Sequence, residues 1–163
     1  MLQESDGWQV INIRDARWYD SDEFGKVCSF EDPKNPFPQT GVRINLLEPG
    51  KPNCRYHREG AQEDFLVLSG CCRLLINGQE KQLKAWDYVH CPPGVSHVFV
   101  GDGDKPCAIL MIGHRPETHK LYYPENELAR KYGAASPEPT DNPHVAYADV
   151  TPRREITAPE WPL

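Results

Sequence analysis

The middle of this chain is a succession of short apolar segments that end at turn residues. The clearest turn is Asn77-Gly78, which separates residues 71–76 from residues 79–83. An Asn-Gly pair between two such segments is a strong signal for a β-hairpin, because both turn positions require positive φ. Comparable segments recur at roughly 8–12-residue spacing, which is typical of an all-β sandwich or barrel.

The predicted strands are residues 8–14, 27–30, 41–48, 65–68, 71–76, 79–83, 88–91, 96–100 and 107–112. Segment 41–48 alternates apolar residues with polar Arg43 and Asn45, as expected for a strand with one buried face. Arg43, Asn45 and Arg73 are candidates to line a cavity, but we interpret them as ordinary outward-facing polar positions. Segment 107–112 is apolar on both faces.

Composition indicates a globular protein and excludes several classes of partner. The 163 residues are enough for one domain with its own core, and hydrophobic content is 39%. The net charge of −6, without any run of basic residues, argues against nucleic acid or a membrane as partner. The six cysteines show no C-x-x-C spacing, so we predict reduced thiols in a cytoplasmic protein. Cys54 stays a candidate because it lies close to His57.

The last fifty residues differ from the rest, because they contain half of the sixteen prolines. Pro124 suits the first position of a short helix, and Gly133 suits its C-terminal cap. We interpret the remainder as an arm on the barrel or on a second subunit, with Tyr147 and Trp161 as anchors; an unordered tail is the alternative. The predicted division is therefore a barrel with N-terminal strands over residues 1–113, and a helix with a proline-rich arm over residues 114–163.

Two clusters in the middle of the chain contain residue types that commonly bind metals in proteins. His57, Glu59 and Glu63 form the first cluster, and His97 belongs to the second. Two imidazoles with one or two carboxylates suit a divalent transition metal that keeps open coordination positions. In an extended segment His57 and Glu59 project to the same side, as residues i and i+2 do. The predicted metal ligands are therefore His57, Glu59, Glu63 and His97.

With these residues the chain resembles the cupin superfamily of small β-barrels, and within it compact, uncharacterised single-domain bacterial cupins. Its first motif is matched by Gly50, His57, Glu59, Glu63 and Gly70, and its second by Pro92, Gly94 and His97. The chain departs from the motifs at Glu59, where the family usually has a second histidine, at Trp86, where it has glycine, and at Gly101, where it has asparagine. The resemblance implies a cupin-type double-stranded β-helix, or jelly-roll barrel, here with a short C-terminal helix and an extended arm.

The carboxylate at Glu59 leaves the ligand set open. Glu59 is either a fourth ligand or a catalytic acid/base. Without it, His57, Glu63 and His97 form a two-His-one-carboxylate triad, the arrangement of non-haem iron oxygenases. Gln62 is a weaker alternative oxygen ligand. Oxygen ligands favour one divalent Fe, Mn or Zn ion over Cu(I).

Two functional hypotheses follow. The first is a metal-dependent enzyme that acts on a small polar molecule, with oxygenase chemistry leading and isomerase or hydrolase chemistry next. The second is a non-catalytic barrel that binds or senses a small ligand or the metal itself. Because the edge strands of a small barrel need cover, we also expect a homodimer in which the N-terminal strand or the arm crosses between subunits.

Overall fold

The computed structural model describes residues 2–3, 7–118 and 120–160. Its strands are β1 (Leu2–Gln3), β2 (Gln9–Val10), β3 (Arg17–Ser21), β4 (Gly25–Ser29), β5 (Thr40–Leu47), β6 (Arg58–Glu59), β7 (Glu63–Ser69), β8 (Cys71–Ile76), β9 (Gln79–Lys84), β10 (Tyr88–Cys91), β11 (His97–Asp102), β12 (Cys107–His114), β13 (Leu121–Tyr122) and β14 (Arg154–Ile156). Two short helices, α1 (Glu127–Lys131) and α2 (Pro143–Ala146), lie in the C-terminal part. The prediction of an all-β fold is confirmed.

Two antiparallel sheets form the body of the molecule. The larger has the strand order β10-β7-β12-β5-β4-β3-β14, and the smaller has the order β11-β8-β9. One apolar cluster takes residues from both sheets, so it lies between them: Leu47, Phe65, Val67, Cys72, Leu74, Cys91, Phe99, Cys107 and Ile109. The sheets are therefore the two walls of a barrel whose interior is apolar at this level.

Further clusters cover the outer faces of both sheets. Trp18, Cys28, Ile44, Leu46 and Ala108 form the cluster outside the larger sheet. Leu75, Val98 and Val100 pack against Ala129 of α1 outside the smaller sheet. This arrangement explains why segment 107–112 is apolar on both faces, since Ile109 faces the interior and Ala108 the outer cluster.

The hairpin between β8 and β9 follows the sequence prediction. Asn77 has φ 45° and Gly78 has φ 76°, which is the pair of left-handed conformations that a tight hairpin turn requires. Strand β10 has the predicted bounds, and β5, β7, β11 and β12 differ from the predicted segments by a few residues at their ends.

Some local predictions were wrong. Segment 8–14 was predicted as one strand, but only Gln9–Val10 is a strand, and β3 at Arg17–Ser21 was not predicted. The start of the helix was also misplaced: Pro124 was predicted at the first helical position, but α1 begins at Glu127, and Asn126 caps it because its side chain accepts a hydrogen bond from the Ala129 N–H. An asparagine carboxamide provides the N-terminal acceptor that proline lacks.

The C-terminal arm contacts the barrel of its own chain. The Arg55 guanidinium, which is buried, donates to the carbonyl oxygens of Gly133, Ala135 and Ala146 and forms an ion pair with Asp149 at 2.6 Å. Farther along, β14 pairs with β3.

The anchors expected in the arm have different outcomes. The Tyr147 hydroxyl accepts a hydrogen bond from the Arg55 N–H, and the Tyr147 ring contacts Phe24 edge-on. The other expected anchor, Trp161, lies outside the described residues. No helix in the described part of the chain is long and apolar enough to cross a membrane.

Candidate metal centre

A backbone pairing brings the two predicted histidine ligands together. The segment before β6 runs antiparallel to β11, and His57 and His97 exchange both backbone hydrogen bonds, at 3.2 and 2.8 Å. Their rings therefore lie on neighbouring chain segments, with centroids 5.1 Å apart. Residues distant in sequence become adjacent because this segment extends the smaller sheet beyond β11.

Each imidazole is oriented by a backbone carbonyl. Nδ1 of His57 lies 2.7 Å from the carbonyl oxygen of Arg55, and Nδ1 of His97 lies 3.1 Å from that of Val95. A carbonyl oxygen can only accept, so both Nδ1 atoms carry the proton and both Nε2 atoms are left to face the site. Metal-binding histidines are typically held this way, with the second ring nitrogen donating to a backbone or carboxylate oxygen.

Glu63 completes a group of three. It lies at the start of β7 in the opposite sheet, and its Oε2 is 3.2 Å from Nε2 of His97. One potential ligand atom from each of His57, Glu63 and His97 lies within 4.8 Å of the other two. This donor set of two nitrogens and one carboxylate fits a first-row divalent ion.

Glu59 lies beside this group but not within it. Its Oε1 is 3.4 Å from Nε2 of His57, and its backbone carbonyl accepts a hydrogen bond from the Gly94 N–H. Gln62 lies outside the site, because its side chain donates to Asp64 on the outer face of β7. Three of the four predicted ligands are thus brought together, and the fourth is next to them.

Burial and charge shift the pKa values of the group in the metal-free protein. Burial and then the charge of Glu59 raise the pKa of Glu63 to about 7. Burial and the neighbouring His57 lower the pKa of His97 to about 4. Burial alone would lower the pKa of His57, but Cys54, Glu59 and Glu63 raise it well above its usual range. Protons therefore neutralise part of the charge that a divalent cation would neutralise on binding.

The group opens into a cavity of about 460 Å³. Glu59, Glu63 and His97 line one part of it, and Cys54, Asn45 and Tyr147 also contribute. Its size falls in the range of small-molecule sites. Cys54 has its sulfur 3.6 Å from Nδ1 of His57, on the side of the ring away from Nε2.

Sequence reasoning did not assign the basic residues of this cavity to the site. Arg43, Arg115 and Arg153 all line it. Arg43 and Asn45 had been interpreted as outward-facing, which was wrong, because alternation along a strand shows which residues share a face but not which face is buried. For Arg73 the outward interpretation holds, since it forms ion pairs with Glu80 and Asp102.

The sequence matches the Cupin domain family model over residues 44–113. This segment contains both candidate ligand clusters and the interior strands from β5 to β12. Residues 44–113 form a cupin domain. The fold is the double-stranded β-helix expected of this superfamily.

Solved structures of other proteins resemble the chain over its barrel. A sugar phosphate isomerase of the cupin superfamily from Silicibacter pomeroyi is 27% identical, with a TM-score of 0.55 over 69% of this chain and 68% of that one. The polyketide cyclase RemF from Streptomyces resistomycificus is 15% identical, with a TM-score of 0.58 over 69% of this chain and 83% of that one, and shows likeness of fold alone.

A third structure, from Acidithiobacillus ferrooxidans, is 27% identical with a TM-score of 0.49, and the match covers 51% of this chain and only 55% of that one. No curated protein sequence is similar to this chain. The comparisons therefore establish the cupin domain and leave the activity unassigned.

Proposed function

We propose that this cupin is a metal-dependent enzyme that acts on a small polar molecule. His57, Glu63 and His97 would hold one divalent Fe, Mn or Zn ion, and Glu59 would act as acid/base. The observation that carries the proposal is that three potential ligand atoms lie within 4.8 Å of one another, and that two of these residues, Glu63 and His97, line a cavity large enough for a substrate. A non-catalytic barrel is the alternative: a sensor of the metal itself would not need a polar cavity next to the ligands, and a ligand sensor would need the cavity but not an acid/base such as Glu59.

The bound ion would polarise a substrate oxygen or activate water or dioxygen. The protein's own contribution is to hold both imidazoles with Nε2 turned to the site, which the carbonyls of Arg55 and Val95 achieve. Glu63 supplies negative charge to the ion from a buried position. With Glu59 nearby, the two carboxylates would balance the two positive charges of the cation.

Glu59 is suited to move a proton rather than to complete the ligand set. It lines the cavity and lies 3.4 Å from a ligand imidazole, yet it falls outside the group of three. A carboxylate that borders both a substrate cavity and a metal can accept a proton from a substrate carbon or oxygen and return it elsewhere. Glu59 therefore favours proton-transfer chemistry, as in an isomerase.

Two reaction classes remain in consideration, each supported by one observation. Isomerase chemistry is supported by Glu59 and by the likeness to the Silicibacter pomeroyi sugar phosphate isomerase. Oxygenase chemistry is supported by the two-His-one-carboxylate set. We place isomerase chemistry first because it gives Glu59 a role, whereas the triad alone does not require that residue.

We propose further that the protein is cytoplasmic and forms a homodimer without nucleic acid or membrane as partner. All six cysteines are free thiols, which suits a reducing compartment. The larger sheet ends at β10 and β14. These edges have backbone groups that a second subunit could cover.

Elemental analysis of protein purified without added metal tests the proposal. We expect near-stoichiometric Fe, Mn or Zn in the parent and loss of the metal in His57→Ala and His97→Ala. His90→Ala is the matched control, because His90 pairs with Asp64 on the outer face of the same region. Full metal content in folded His97→Ala would contradict the assignment.

Glu59→Gln then tests whether Glu59 is a ligand, since loss of metal indicates ligation, whereas retention excludes it and leaves the acid/base role to be tested by the reaction. For the reaction class, aldose and ketose phosphates are incubated with the metal-loaded parent in D₂O and followed by NMR. Solvent deuterium should enter the carbon next to the carbonyl with the parent and not with Glu59→Gln. Oxygen uptake without deuterium exchange would assign the oxygenase class instead.

A further inference from the structure

The wall of the cavity that β5 forms contains a cationic side chain that the proposed metal chemistry does not use. Arg43 lies on β5, whose inward residues include Leu47 of the interior cluster, whereas Ile44 and Leu46 belong to the outer cluster. Because side chains alternate along a strand, Arg43 shares the inward face with Leu47. Its guanidinium therefore enters the same cavity that Glu63 and His97 line.

Among the described residues, the Arg43 side chain has no hydrogen bond or ion pair. Arg73, by contrast, forms ion pairs with Glu80 and Asp102 at 2.6 and 2.9 Å. The Arg43 side chain is exposed, so solvent rather than a protein group compensates its charge. An unpaired guanidinium at a cavity is available for a ligand.

One carboxylate beside this wall, that of Glu31, is already bound by another arginine. Arg115 contacts both carboxylate oxygens of Glu31, at 2.6 and 2.7 Å, and also donates to the Phe37 carbonyl. Arg115 passes so close to Gly41 that a Cβ there would lie 3.0 Å from its Nη2, which places it on the same face of β5 as Arg43. Arg115 therefore neutralises most of the charge of the Glu31 carboxylate, which leaves little of it to compensate Arg43.

A third arginine adds positive charge to the same wall. Arg153, which is exposed, lines the cavity with Arg43 and Arg115, and the three also line a neighbouring cavity of about 300 Å³ together with Glu31 and Asp32. Partial desolvation, and then the like charge of Arg153, lower the pKa of Arg43, whereas the charges of Glu31 and Glu59 raise it. The three arginines therefore concentrate positive charge on this wall, and the neighbouring carboxylates offset part of that charge.

We infer that Arg43, supported by Arg115 and Arg153, binds an oxyanion group, phosphate or carboxylate, of a small substrate whose reacting part faces His57, Glu63 and His97. This inference rests on the proposed function, which supplies the reacting end. A guanidinium matches both oxyanions because its two parallel N–H groups can contact two oxygens at once. With Glu59 and Glu63 neutralised by the cation, the arginines set the charge of the cavity and select an anionic substrate.

The test uses inorganic phosphate and malonate as probes, titrated by calorimetry into metal-loaded parent and variants. Arg43→Gln should weaken the binding of the preferred probe at least tenfold, while metal content stays at the parent level. Arg43→Lys should recover part of the affinity, because it keeps the charge but loses the two-oxygen contact. Arg73→Gln is the matched control and should bind as the parent does, because Arg73 lies outside the cavity.

The outcomes separate this inference from the proposed function. Tighter binding of phosphate assigns a phosphate ester, and tighter binding of malonate assigns a carboxylate; either supports the anion site. Loss of binding in His57→Ala with no change in Arg43→Gln would mean that the probe binds the metal and would overturn the inference. Binding that depends on Arg43 in a parent without metal would keep the anion site and reject the metal-dependent function. No binding of either probe overturns the anion site alone.

Discussion

Strand β7 has a histidine–carboxylate pair on each of its two faces, and the two pairs differ in almost every physical respect. On the inner face Glu63 meets His97 at 3.2 Å, and on the outer face Asp64 meets His90 at 2.7 Å. The His97 side chain is 2% exposed, whereas that of His90 is 48% exposed. A shorter distance alone would favour the outer pair as the functional one.

The pKa values show why the inner pair is the candidate. Burial raises the pKa of Glu63 to about 7, while hydrogen bonds from Tyr88, Gln62 and His90 lower the pKa of Asp64 to about 2. Asp64 is a satisfied surface carboxylate. Glu63 is largely but not fully buried and lacks full compensation, and its neighbour His97 keeps an unprotonated Nε2. Incomplete compensation, rather than proximity, distinguishes a site that can bind a cation from a stable surface ion pair.

The largest expected effect comes from removal of the metal. If the ion is present at about 1,000 times its dissociation constant, it stabilises the folded protein by roughly 4 kcal/mol, so chelation should lower Tm by roughly 8–16 °C. Thermal unfolding with and without EDTA measures this difference. The parent and Asp64→Asn should show it in full, and His97→Ala should show none. An equal response of the parent and His97→Ala would place the ion elsewhere.

A pH titration of the metal-free protein gives the next largest effect. Because the pKa of Glu63 rises from 4.5 to about 7 on folding, the folded state retains a proton that the unfolded state releases. This stabilisation is complete below pH 4.5 and is lost as the pH rises through 7; the loss is about 3 kcal/mol at 1.36 kcal/mol per pH unit. Denaturant unfolding of the parent and Glu63→Gln, compared from pH 5 to 8, reports this contribution together with the change in the His57 titration that loss of the Glu63 charge causes.

Asp64→Asn is the control for this titration. The lowered pKa of Asp64 gives a contribution that is present above its unfolded value of 3.8 and is lost only as the pH falls toward 2. The difference between the parent and Asp64→Asn should therefore be constant from pH 5 to 8. If the difference between the parent and Glu63→Gln is equally constant, the inner carboxyl is ionised throughout, and the contrast between the two faces of β7 disappears.

Much of the site could be predicted from sequence because the spacing of residues along strands is local information. His57, Glu63 and His97 were found from two short motifs, and the Asn77-Gly78 turn fixed the hairpin between them. The replacement of the family's asparagine by Gly101 has a reason that is not local: a Cβ there would collide with the Glu48 carbonyl oxygen of a distant segment. That reason is visible only once the strands are assembled.

The basic wall of the cavity could not be predicted, because it depends on contacts between distant segments. The three arginines of this wall are spread over more than a hundred residues of the sequence, from Arg43 through Arg115 to Arg153, and no local pattern links them. The strand β3 was missed for a similar reason. Its buried residues include Trp18 and Ser21, and it is stabilised by pairing with β4 and β14 rather than by a clear alternation.

The smallest expected effect concerns Trp86, which precedes β10 and has the position of a motif glycine. Trp86 has φ 74° and is 73% exposed, so its backbone is in the left-handed region while its indole contacts mostly solvent. The Trp86 N–H donates to the Val67 carbonyl of β7 at 2.8 Å, which holds this conformation.

The left-handed conformation destabilises the folded state by roughly 1–2 kcal/mol for a residue with a Cβ, but not for glycine. The greater conformational freedom of glycine in the unfolded chain offsets about 0.5–1 kcal/mol of this difference. Trp86→Gly should therefore be more stable than Trp86→Ala by about 1 kcal/mol in denaturant unfolding. Both variants remove the indole, so their difference reports the backbone alone, and metal content should equal that of the parent in both. If Trp86→Ala is the more stable variant, backbone conformation does not explain the glycine of the motif. If either variant loses metal, the outer surface before β10 is coupled to the inner pair of Glu63 and His97.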